Sequence, residues 1–119
     1  MIKDNIIQRK SYDFALKSIS LYKKITSENK EYVLSKQFLR SSTSIGANVE
    51  ETIGAQSERD FLSKISISYK EARETHYWLR LLKDSNYISD EDATEMLSLC
   101  EEILRIIGKI QITIKSRNS

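Results

Sequence analysis

The chain contains no proline and only three glycines in 119 residues, so it lacks the turn chemistry that sandwiches and barrels require. One cysteine, Cys100, rules out an internal disulfide and leaves no CxxC half-site for zinc. No stretch approaches the roughly 18 apolar residues that a membrane span needs. The most apolar segment, 103–114, is interrupted by Arg105, Lys109 and Gln111. The opening MIKDNIIQRK carries four charges and no apolar run, unlike a secretory leader, so a cytoplasmic location is expected. No charge of one sign dominates either: 19 Lys and Arg against 17 Asp and Glu leave +2. That balance neither announces nor excludes a nucleic-acid partner.

What is present is helical periodicity. Three weak breaks, near 27–30, 53–57 and 85–89, divide the chain into four segments, expected as helices over about 5–27, 31–54, 58–85 and 90–115. Gly54 suits a helix C-terminus, and Ser57 with Asp60 makes a capping-box variant. Ser89 precedes the acids Asp90, Glu91 and Asp92, which favour the positive end of a helix dipole. The seam of the first segment reads Ile7, Ser11, Phe14, Ser18, Leu21, Ile25, and that of the second Leu34, Phe38, Ser41, Ile45, Val49, Thr52. The third reads Phe61, Ile65, Ser68, Ala72, Thr75, Leu79, Leu82, and the fourth Met96, Cys100, Ile103, Ile107, Ile110, Ile114. Rods of similar length with short connections predict an all-α, antiparallel up-down-up-down bundle forming a single domain over 1–119. Residues 110–114 also alternate like a strand, but a lone strand would have no partner, so helix is expected there too. The third and fourth segments carry more apolar surface than one seam needs, and Tyr77, Trp78 and Ile106 are candidate interface residues for self-association.

Catalytic and metal chemistry finds little support. A di-metal bundle needs Glu-x-x-His on two helices, yet the only histidine, His76, has Arg73 three residues before it. Any Ser-His or Cys-His pair would need that same His76, which lies among large apolar residues. Cys100 occupies a seam position and reads as a small core hydrophobe. Gly46, Gly54 and Gly108 are isolated and build no phosphate loop. The expectation is a protein with no enzymatic activity and no cofactor.

The segment 40–51 is poor in helix formers, which suggests that its small side chains admit a neighbouring helix closely. Asn48 and Glu51, with Glu71 on the third segment, are expected to form a structural polar network between the second and third helices. Lys36, Arg40, Lys64, Lys70 and Arg80 are candidate nucleic-acid contacts, because an oligomer multiplies a modest basic cluster into a phosphate-binding surface.

The pattern Ser44-Ile45-x-x-Asn48-Val49-x-Glu51, then Asp60-Phe61, then Ser68-x-x-Glu71-Ala72-x-x-Thr75-x-x-Trp78-Leu79, resembles the bacterial four helix bundle protein family. That family is also called the 23S rRNA intervening-sequence protein family, because some members are encoded within insertions in that rRNA gene. The resemblance spans essentially the whole chain. It implies a homopentameric four-helix bundle without an assigned catalytic residue, and kinship with the accessory variability determinant of diversity-generating retroelements, a basic pentameric barrel that binds nucleic acid and a reverse transcriptase. The resulting expectation is a homo-oligomeric scaffold, with RNA or a nucleic-acid-associated protein as partner and no membrane. The alternative is a protein-only module that recognises a partner helix, with Tyr77 and Trp78 as anchors.

Overall fold

The computed structural model describes residues 5–117, so the first four residues of the opening segment lie outside it. Four helices follow in order: α1 (Ile6–Asn29), α2 (Leu34–Ile53), α3 (Glu58–Asp84) and α4 (Asp90–Arg117). No strand occurs among the described residues, and the segment 110–114 continues α4. Each helix packs on its neighbours in sequence and α1 closes on α4, while the backbones of the diagonal pairs α1–α3 and α2–α4 have no Cα atoms within 8 Å of each other among the described residues. Cross-links run antiparallel throughout, as from Glu51–Lys64 to Arg40–Glu71 between α2 and α3. The result is an up-down-up-down rod of 48 × 23 × 21 Å.

The termini explain themselves chemically. Asn5 accepts from the Gln8 amide at 2.9 Å and Ser57 from the Asp60 amide at 3.0 Å, so α1 and α3 start on side-chain caps. The Asp60 carboxylate accepts from the Gln56 amide at 3.2 Å, one residue outside the N-cap, instead of closing the box on the Ser57 amide. Ser89 Oγ accepts from the Asp92 amide at 3.0 Å and starts α4. Gly54 ends α2 with an ordinary φ of −95°; the left-handed positions belong to Lys30 after α1 and Asn86 after α3.

The start of α2 differs from the expected boundary for a clear reason. Glu31 stays outside the helix, and its carboxylate accepts from the amides of Val33, Leu34 and Ser35 at 2.9, 2.9 and 2.8 Å. Burial pushes this carboxyl up, but the three amide donors outweigh it and hold the group below the ordinary glutamate range. A depressed folded pKa contributes stability that is present above the unfolded value, about 4.3, and is lost as pH falls through the folded one. Glu31→Gln should therefore reduce stability at neutral pH by about 1 kcal/mol and flatten the loss on acidification, measured by urea denaturation between neutral pH and about pH 3.

The core follows the seams. Every expected seam residue of α1 and α3 is buried, the serines and threonine included. In α2, Leu34 is only half-buried and Ser35 and Ser42 join the interior; in α4, Ala93 takes the inner place and Ile110 is half-buried. Gly46 lets α1 come close, since a Cβ there would stand 3.4 Å from the Ser11 carbonyl oxygen. Gly108 has no such role: a Cβ there would meet only the Tyr69 ring, at 3.9 Å. Gly108→Ala should accordingly raise stability by about 0.5–1 kcal/mol through helix propensity, read as an upward shift of the thermal midpoint.

Candidate nucleic-acid interface

The expected polar network divides into separate contacts. Asn48 donates to the Ser44 carbonyl of its own helix at 2.9 Å. Glu51 pairs with Lys64 at 3.1 Å, and Glu71 pairs with Arg40 at 3.3 Å. The three residues lie along the outer margin of the α2–α3 seam and do not bond one another. Smaller groups make the buried polar links instead: the Ser41 and Thr75 hydroxyls lie 2.9 Å apart, and Ser68 donates to the Ile45 carbonyl at 2.8 Å. These links were visible only as polar positions within the apolar seams.

The five candidate cations fall into two groups. Arg40 is held by Glu71 and Glu74, and Lys64 by Glu51, so both are neutralised at the α2–α3 seam. Lys36 stands exposed in the first turn of α2, one turn before Arg40. Lys70 and Arg80 are exposed on α3 with no ion pair among the described residues.

Lys70 and Arg80 belong to a longer pattern. Moving two residues back from each core position of α3 turns about 200° around the helix, onto its solvent side. The positions so reached are Arg59, Ser63, Ser66, Lys70, Arg73, Tyr77 and Arg80. Six of the seven are exposed and the seventh, Ser66, is half-buried; four are cations, none is an acid, and none of the four has an ion pair among the described residues. The first and last cations are 21 positions apart, about 31 Å along the axis. Arg59 and Arg73 were missed as candidates because cations counted along the chain do not reveal a shared face. The 4-3 spacing, offset from the seam, was the available signal. On α4, the register set by Ser66–Gln111 and His76–Glu101 places exposed Arg105 and Lys109 along the same stretch of the bundle.

The same two-residue offset on α1 reaches Asn5, Arg9, Tyr12, Leu16, Ile19 and Lys23. This stripe is apolar at its centre, with Tyr12 63%, Leu16 51% and Ile19 36% exposed. The solvent sides of the two diagonal helices thus differ in kind, one basic and one apolar.

Tyr77 and Trp78 meet edge to face, ring centroids 5.1 Å apart. Tyr77 is exposed and Trp78 half-buried against the core. Ile106 follows Glu102 by one turn on the side of α4 turned to α1, where Lys10 pairs with Glu102, so the three candidate interface residues do not form one patch. His76 Nε2 lies 2.9 Å from Glu101. Cys100 is buried with its thiol donating to the Ala72 carbonyl at 3.3 Å, and burial pushes its pKa up to about 12, so it carries no thiolate at neutral pH. Among the described residues no group of three or more His, Cys, Asp or Glu is placed to hold a metal ion. No described helix is long and apolar enough to cross a membrane.

Comparison with known proteins agrees with this architecture. A family model described as 23S rRNA-intervening sequence protein matches residues 3–109. A solved structure from Bacteroides thetaiotaomicron VPI-5482, described as a protein with unknown function from the S23 ribosomal protein family, is 44% identical. The match covers 89% of this chain and 98% of that one, with a TM-score of 0.88. No curated protein matches the chain.

Proposed function

The chain belongs to the 23S rRNA-intervening sequence protein family, and from that premise we propose that it works without enzymatic chemistry, as a cytoplasmic homo-oligomeric scaffold that holds RNA. The observation that carries this reading is the acid-free stripe Arg59, Lys70, Arg73, Tyr77, Arg80 on the solvent side of α3. Cations left without carboxylate partners along one helix face supply the sequence-independent attraction on which phosphate-backbone binding rests. Self-association is supported by the apolar centre of the α1 stripe, because three neighbouring large side chains in water favour a covered state. The number five comes from the family resemblance.

Native mass spectrometry of recombinant protein recovered without nuclease treatment tests both halves. The expected result is five times 13.8 kDa with RNA attached. A bare oligomer that also ignores added oligouridine at low salt overturns the RNA half. A monomer overturns the scaffold half, and Leu16→Glu should produce that monomer from the wild-type assembly.

A further inference from the structure

The basic stripe holds one aromatic residue, and its surroundings give it a defined form. Tyr77 lies four residues after Arg73 and three before Arg80, so a guanidinium flanks it on either side along the helix. The Arg80 guanidinium carbon stands over the Tyr77 ring, 5.8 Å from its centroid, so a base would stack on the opposite face. The Trp78 ring abuts Tyr77 at an interplanar angle of 66°. Trp78 is fixed in turn: its indole N–H donates to Glu74 at 2.8 Å, and Glu74 is paired with Arg40 of α2. A chain of contacts from α2 through Glu74 and Trp78 therefore reaches an exposed ring 46% open to solvent.

We propose that Tyr77 with Arg80 is a stacking platform for an unpaired base, and that the RNA held along α3 is single-stranded there. The inference rests on the RNA-scaffold reading above and adds the class of strand. Every base presents a π-face, whereas in a duplex those faces are already stacked and out of reach of a ring on a convex helix surface. The flanking cations Lys70 and Arg73 would then track the phosphates on the side of the base away from Arg80.

The test uses the full chain and fluorescence anisotropy with three labelled probes of equal length: oligouridine, an abasic ribose-phosphate strand, and a blunt RNA duplex. Trp78, the only tryptophan, gives a second readout because its ring adjoins the platform. Tyr77→Ala should weaken oligouridine binding about 10-fold and leave the abasic strand and the duplex unchanged, while Tyr77→Phe should retain wild-type affinity. Oligouridine, and not the abasic strand, should change the Trp78 emission. Equal losses on all three probes, no loss on any, or tighter binding of the duplex would overturn the platform while leaving RNA binding intact. Absence of binding by the wild-type protein to every probe would instead remove the scaffold reading itself, and the platform with it. Circular dichroism of Tyr77→Ala keeps the outcome separate from unfolding, since the replaced side chain lies outside the core.

Discussion

Replacing Arg59, Lys70 and Arg73 together with glutamine is expected to reduce RNA affinity about a thousand-fold at about 50 mM salt, with the fold unchanged. The estimate follows from counterion release. Each phosphate contact contributes about 0.7 to 0.9 to the slope of log K against log salt, so three lost contacts remove about three powers of ten between molar and 50 mM salt. The slope itself should fall by about 2 to 3, which a nonspecific loss of folded protein would not produce. All three side chains are exposed and free of ion pairs among the described residues, so no internal partner is orphaned. Neutralising Arg40 and Lys64 provides the contrast. Both already face carboxylates, and their loss should leave the slope nearly unchanged while freeing Glu71, Glu74 and Glu51. A salt titration of the two variants side by side decides the matter. Equal slopes for the triple variant and the wild type would rule out the α3 stripe as the phosphate track.

The second large effect lies in the core. Phe38→Ala should cost about 3–5 kcal/mol, because the ring is fully buried in the α2 seam and its removal leaves a cavity between packed helices. Against a total stability of about 5–15 kcal/mol, that is a drop in thermal midpoint of roughly 15 °C. Thr75→Val tests a different term at nearly constant volume. It removes the hydroxyl 2.9 Å from Ser41, but Ser41 keeps the Phe38 carbonyl as a partner at 3.3 Å, so the cost should be about 1 kcal/mol. Urea denaturation at one fixed protein concentration separates the two, the concentration being held so that any self-association weighs equally on both variants. Comparable losses for both variants would mean that the polar links, rather than the apolar seam, dominate the α2–α3 contact.

These expectations draw unequally on sequence and structure. The seams of α1 and α3 were legible residue by residue, because a 4-3 spacing admits only one buried face, and Ser11, Ser18, Ser68 and Thr75 sit in register with the apolar positions. Ile110 was placed in the core, yet it is half-buried, since a straight helix drifts about 20° per heptad from a strict seam. The start of α2 was misplaced because a glutamate capping three amides from outside the helix has no short-range signature of the Ser or Asp kind. The partners of Asn48, Glu51 and Glu71 depend on which margin of α2 faces which margin of α3, an angle that one-dimensional spacing does not contain. Arg59 and Arg73 were within reach of the same periodicity that found the core, had it been applied to the opposite side of the helix.

The diagonal placement of α1 and α3 has a consequence for valency. Helices set diagonally across the bundle present their outer sides in roughly opposite directions, so an assembly joined through α1 would turn every copy's α3 away from the junction. Each copy then contributes one separate track, and a strand long enough to reach two of them binds the second at the effective concentration set by its own flexible span. In the proposed assembly, weak attachment at a single bundle would become strong retention by several, and short fragments would be released while long ones stay. Length discrimination of that kind needs no sequence readout and no moving part.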